Sequence, residues 1–179
     1  MQGGDMNFSN NEFHDNLNYG FYARDNSRDI VLEGNLAYNN GSHGILLARG
    51  CTNFVLRNNK AYTNGSSSGH GIVISHGSAP TAASVENLLD GNEAYGNQGA
   101  GITIEGSNHN EVRNNNLHDN QAGLTLGNGS TNNQVQSNTL FNNTSYGLQI
   151  RAGTNNKVIS NTVSSNTGSG IDLRGATTT

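Results

Sequence analysis

The sequence predicts an all-β protein, a right-handed parallel β-helix: a solenoid of about seven coils. The first observation is a ladder of asparagines. Asn11, Asn35, Asn59, Asn92, Asn115, Asn138 and Asn161 recur at steps of 24, 24, 33, 23, 23 and 23 residues. A second ladder runs five residues behind it: Asn16, Asn40, Asn64, Asn97, Asn120, Asn143 and Asn166. The third is a glycine-led run in every repeat: GFYARD, GILLARG, GIVISHG, GITIEG, GLTLGNG, GLQIRAG and GIDLRG. A fixed period in the twenties, repeated this often, is the mark of a solenoid.

Each repeat has the same parts in the same order. An apolar residue stands three positions before the first asparagine: Phe8, Leu32, Leu56, Leu89, Val112, Val135 and Val158. A second apolar column stands two positions after it: Phe13, Ala37, Ala61, Ala94, Leu117, Leu140 and Val163. The glycine-led run then alternates with period two, which is a strand pattern. Ile45 and Leu47 point one way, Leu46 and Ala48 the other. No stretch has the 3.6-residue spacing of a helix longer than a turn, and 24 glycines and 32 asparagines favour turns and left-handed backbone. Two or three short strands per coil follow, stacked about 4.8 Å apart, so that seven coils span roughly 33 Å. Leucine-rich repeats have similar periods, but their pattern of leucines is missing. An inward asparagine can hydrogen-bond the same residue one coil on and satisfy polar groups that a turn would bury unpaired. Two irregularities interrupt the third coil: residues 66–68, and residues 78–83 with the only proline, Pro80. Loops inserted into one coil of a solenoid often lie on its working face, and drift of a tolerated loop is the alternative.

Composition narrows the function. The net charge is −4, only 12% of residues are charged, and no basic patch suits nucleic acid. No run approaches a membrane span, and no signal peptide opens the chain. The single Cys51 excludes an internal disulfide and offers no metal pair; a small residue at a coil corner is the expected role. The chain lacks a calcium-binding nonapeptide repeat. No metal or other cofactor is expected. Residues 1–179 read as a single β-helix domain lacking its native end caps. The open ends imply a longer protein, a trimmed or engineered chain, or end-to-end or lateral self-association through uncapped coils.

Stacking turns sequence positions into vertical columns. The residue before each strand glycine reads Tyr19, His43, His70, Ala100, Ala122, Tyr146 and Ser169. The outward residue two after it reads Tyr22, Leu46, Val73, Thr103, Thr125, Gln149 and Asp172; four after it stand Arg24, Ala48, Ser75, Glu105, Gly127, Arg151 and Arg174. The next position adds Asp25, Arg49 and His76. The first three coils thus gather Tyr19, Tyr22, Arg24, Asp25, His43, Arg49, His70 and His76. Arginines clamp carboxylates, while tyrosine and histidine exchange protons and offer flat faces to sugar rings. An anionic polysaccharide suits that inventory; wide residues at a solvated edge are the alternative. A further column, His14, Tyr38, Tyr62, Tyr95, His118, Phe141 and Ser164, reads as a stabilising aromatic ladder or a binding stripe.

The run YGFYARDNSRDIVLEGN (residues 19–35), followed by HGILLARG (residues 43–50), resembles the mannuronan C5-epimerases, right-handed β-helix enzymes acting on alginate. The stretches LEGNLAYNNG, LRNNKAYTNG and DGNEAYGNQGAGITI extend the likeness along most of the chain. The family's catalytic coil reads YGFDPH and then an acidic residue, and one branch follows with HGI, three residues and Arg. Tyr19 matches the tyrosine that exchanges the C5 proton in the family; Asp25 matches the acidic residue, and His43 and Arg49 match the second coil. The DPH positions hold Tyr22, Ala23 and Arg24, and an aspartate used in another branch falls on Ala48. The resemblance implies Tyr19, His43 and Arg49 as catalytic residues, and together with the stacked columns it leaves Tyr22, Arg24, Asp25, His70 and His76 as candidate substrate-binding ones. It implies an alginate-like polyuronate as partner, no nucleic acid or membrane, and an extracellular or periplasmic location. If the chain is active, epimerisation and β-elimination share the first step and both stay open. The alternative is a non-catalytic binding or structural scaffold, as a truncated or engineered fragment, favoured by the missing aspartate and histidine.

Overall fold

In a computed structural model, which describes residues 6–66, 68–77 and 82–176, the chain winds as a parallel β-helix of seven coils. Every coil contributes one strand to each of three seven-stranded sheets, and every pairing is between successive coils. The first sheet runs from Met6–Ser9 to Lys157–Ile159, the second from Glu12–His14 to Thr162–Ser164, and the third from Phe21–Ala23 to Ile171–Arg174. The pairing is in register: Tyr38 lies beside Tyr62, Ile45 beside Ile72, Val112 beside Val135.

The corners explain the asparagines. Each corner is a residue in the left-handed region followed by a side chain turned inward. At the first corner the left-handed residues include Asn10, Gly34, Asn58, Gly91 and Asn114; at the second, Asp15, Asn39, Thr63, Gly96 and Asp119. Asparagine, aspartate and glycine tolerate that backbone best. The inward asparagine then joins three coils. Asn59 Oδ1 accepts from both the backbone N–H and the amide of Asn35, each at 2.9 Å. Its own amide donates to the Leu32 carbonyl at 2.9 Å and to Asn92 Oδ1 at 3.0 Å. The second ladder repeats the scheme through Asn64 and its neighbours.

A third ladder was not among the sequence expectations. Asn87, Asn110, Asn133 and Asn156 turn inward at the corner before the first sheet and pass the same amide bonds. The earlier coils place Ile30 and Phe54 at that position, so only four repeats carry the signal. Phe54 is fully buried, and the same coil carries Ala61 where later coils carry Leu117 and Leu140.

Three inward columns fill the interior. Leu32, Leu56, Leu89 and Val112 come from the first sheet, Ala37, Ala61, Ala94 and Leu117 from the second, and Ile45, Leu47, Ile72, Ile74, Ile102 and Ile104 from the third, all wholly buried. The glycine opening each third-sheet strand passes tightly over the second ladder. A Cβ on Gly44 would lie 2.7 Å from the Gly71 carbonyl and 2.8 Å from the Asn64 amide. The aromatic column is a continuous stack: Tyr38, Tyr62 and Tyr95 lie 4.9 and 5.0 Å apart and within 4° of parallel, and His118 follows at 5.2 Å. The ring faces are used on each other, so the stack is a stabilising ladder. Of the third-coil irregularities, residues 67 and 78–81, including Pro80, lie outside the described residues. Cys51 is buried, donates to the Ala48 carbonyl at 3.2 Å, and has its thiol pushed up to about 11 by burial, which keeps it protonated.

Asn59→Ala should be far more costly than its size suggests. It strands two donors of Asn35 and removes the amide bond to the Leu32 carbonyl in a dry interior, at about 3 kcal/mol or more. Asn161→Ala, in the half-exposed last rung, should cost about 1 kcal/mol. Urea unfolding of the two variants checks this, and equal losses would show that the ladder does not carry the fold.

Candidate active site

The outward face of the third sheet carries the chemistry. Its first three strands, Phe21–Ala23, Ile45–Ala48 and Ile72–Ser75, bring Tyr19, Tyr22, His43, Arg49 and His70 around one open groove of about 400 Å³. Leu46 and Val73 form its apolar floor, at 7% and 4% exposure. The residues before the strand glycines make one wall. Tyr19 stacks on His43 with centroids 5.6 Å apart, and His43 on His70 at 5.2 Å. Tyr22 leans against Tyr19 at 4.9 Å, with the Arg24 guanidinium 5.4 Å from its ring centre.

The charged groups form the rim. Asp25, in the left-handed region, meets Arg24 Nε at 3.4 Å and Arg49 Nη1 at 3.3 Å. Asp25 thus sits between two guanidiniums, and Glu105 also lines the groove, so two arginines share the site with two carboxylates. These ion pairs are long and solvated, so each guanidinium can turn to another anion at little cost. Arg49 itself has positive φ, and the turn below it is closed by Ser27 Oγ donating to the Arg24 carbonyl at 2.7 Å.

The two histidines are fixed as neutral rings. The backbone N–H of His70 donates to His43 Nδ1 at 3.1 Å, and the N–H of Ala100 donates to His70 Nδ1 at 2.7 Å. An Nδ1 that accepts leaves the hydrogen on Nε2. Burial lowers the basicity of both; for His70, burial and then the neighbouring His43 bring it down to about 4. Neither ring supplies positive charge near neutral pH. His76 stands apart from this wall, with Nδ1 donating to the Glu105 carbonyl at 3.2 Å, and does not line the groove.

The groove does not stop at the third coil. His70 and Glu105 also border a second polar cavity, of about 360 Å³, over the later strands Ala100–Glu105, Ala122–Gly127, Tyr146–Arg151 and Ile171–Arg174. Thr103, Thr125, Gln149, Arg151 and Arg174 line it. The sequence columns contain all of these residues, but nothing in the sequence distinguishes them from an ordinary solvated face. Among the described residues, no group of three or more His, Cys, Asp or Glu is arranged to hold a metal ion.

Comparison with known proteins gives a consistent fold. The family model for the right handed beta helix region matches residues 1–95 and 66–179. Among solved structures, the A-module of Azotobacter vinelandii mannuronan C-5 epimerase AlgE4 is 23% identical with a TM-score of 0.77, over 97% of this chain and 58% of its own. The A-module of AlgE6 from the same organism is 25% identical with a TM-score of 0.69, over 98% and 58%. The periplasmic alginate epimerase AlgG is 21% identical with a TM-score of 0.71, over 94% and 44%. The chain thus spans about half the length of these structures. A comparison with curated proteins finds no match.

The neutral histidines have a pH consequence. His70 is less basic folded, about 4 against an ordinary 6.5, so the unfolded chain binds more protons between those values. Its contribution to stability is fully present above pH 6.5 and disappears as pH falls towards 4. NMR titration should find the His70 midpoint near 4, and the wild type should lose more stability across that window than His70→Asn. A midpoint at the ordinary value would contradict the buried, hydrogen-bonded ring.

Proposed function

The chain belongs to the right-handed beta-helix family, and on that premise we propose that it is a polyuronate-acting module which holds an alginate-like strand along the third sheet and exchanges the proton at C5 of a uronate ring. The observation that carries this reading is the pairing of a tyrosine and histidine wall with the exposed guanidiniums of Arg49 and Arg24 at one groove, in the first three coils. The mannuronan and alginate epimerases among the structural neighbours support the substrate class. An extracellular or periplasmic location follows from that substrate.

The chemistry assigns the parts. The proton leaving C5 is α to a carboxylate, so the electron pair it leaves behind spreads into that carboxylate. Arg49 and Arg24 offset the growing charge. Tyr19 is the group placed to exchange the C5 proton on one face. With the two imidazoles held neutral at Nδ1, Tyr22 is the group left to return a proton on the other face, giving the C5 epimer. Loss of the 4-linked oxygen from the same intermediate would instead give an unsaturated end.

A second reading, binding without turnover, is favoured by one observation: Tyr22 and Arg24 occupy the positions where the resembled family has an aspartate and a histidine. The two readings separate cleanly. Polymannuronate incubated with the chain in heavy water should gain deuterium at C5, and Tyr19→Phe should slow uptake at least about a hundredfold. No uptake and no unsaturated product, with binding retained, would establish the binding module instead. Arg24→Ala combined with Arg49→Ala should weaken binding of uronate oligomers and flatten its salt dependence. Unchanged affinity would move the carboxylate site elsewhere.

A further inference from the structure

We propose that the far end of the groove is a second carboxylate-binding subsite, centred on Arg151 and Arg174, so that one polyuronate strand is held at two poles. The proposal rests on the polyuronate reading above and adds where along the helix the strand must reach.

The local sequence repeats with the same spacing. Tyr146-Gly147-Leu148-Gln149-Ile150-Arg151 follows the pattern of Tyr19-Gly20-Phe21-Tyr22-Ala23-Arg24, five coils away. Because third-sheet strands pair in register, Tyr146 and Arg151 stand on the same two sides of the groove as Tyr19 and Arg24. Each end also has two arginines and one aspartate. At the far end Arg174 is committed: Nη2 donates to the Tyr146 hydroxyl at 2.6 Å and Nε to Asp172 Oδ2 at 2.8 Å. Asp172 also accepts from Gln149 Nε2 at 2.8 Å. Arg174, Tyr146, Asp172 and Gln149 thus form a preformed rim.

Arg151 differs. It pairs across strands with Arg174, is exposed, and has no hydrogen-bond or ion-pair partner among the described residues. Its fork of N–H groups is free to take a carboxylate bidentately. The floor beside it is polar yet nearly inaccessible: Gln149 is 7% exposed, Thr125 6% and Thr103 1%. Thr103 Oγ1 is the one buried side-chain oxygen or nitrogen without a partner among the described residues. A buried hydroxyl left unpaired is costly, which marks this floor as polar surface not yet satisfied within the chain.

Five coil spacings separate the poles, roughly 24 Å at about 4.8 Å per coil. A pyranose ring in a 1,4-linked strand advances about as far as one coil, so roughly six rings are needed to touch both poles. Short oligomers then occupy the poles independently, while long ones bridge them and gain from effective concentration.

Calorimetric titration with mannuronate dimer and hexamer tests this. The wild type should bind two dimers weakly or one hexamer, the hexamer at least about a hundredfold more tightly. Arg151→Gln, which removes a side chain bonded to nothing, should leave the melting temperature unchanged. It should lower the dimer stoichiometry from two to one and weaken the hexamer about tenfold or more. If Arg151→Gln leaves both the stoichiometry and hexamer affinity as they were, while Arg24→Ala with Arg49→Ala weakens binding, the second subsite is wrong and the polyuronate reading stands. If neither oligomer binds the wild type, both fall.

Discussion

The amide-to-amide hydrogen bond between asparagines of successive coils is the interaction on which the molecule depends. A coil of this size has polar backbone at every corner, and those corners face a dry interior. Side-chain amides are suited to the task because each carries both donors and acceptors. Asn35, Asn59 and Asn92 illustrate the economy: one side chain accepts two bonds from the coil before and donates one to that coil's carbonyl and one to the coil after. Removing one rung breaks bonds to the coils on both sides, so register between coils is held strongly.

That register is what makes a groove. Tyr19, His43 and His70 are far apart in the chain, yet their rings stack because each follows the second-ladder asparagine of its own coil. The long third coil is the informative case. The step from Asn59 to Asn92 is 33 residues, but the bond between them is 3.0 Å, like those over shorter steps. The additional residues fall between Asn64 and Asn87 in the sequence, and the ladders on either side keep their bonds. Gly77, the last described residue before the second irregularity, borders the groove directly.

Hydrogen bonding to the backbone also sets the electrostatics. His43 and His70 accept from backbone N–H groups of the coil that follows, and burial further disfavours their charged forms. Positive charge is therefore left to the arginines, which do not titrate near neutrality. On a chain of net charge −4, each end of the groove carries two arginines and one aspartate, with Glu105 between the two ends. A neutral wall beside arginines can bind a carboxylate while leaving Tyr19 to handle protons.

Much of the fold was legible in the sequence because a solenoid writes its tertiary contacts as a period. The two ladders, the inward columns such as Leu32 and Leu56, the glycines before the third-sheet strands and the gathering of Tyr19, Tyr22, His43, Arg49 and His70 all follow from residues of similar kind at equal intervals. What breaks the period was not legible. The third ladder, from Asn87 to Asn156, was hidden because apolar Ile30 and Phe54 stand at its earlier rungs. The neutral state of His70, the unpaired hydroxyl of Thr103 and the free guanidinium of Arg151 were likewise decided only in three dimensions. Spacing reports which residues are neighbours. Hydrogen-bond direction and loss of water depend on where the atoms of those neighbours lie, and only the wound chain sets that.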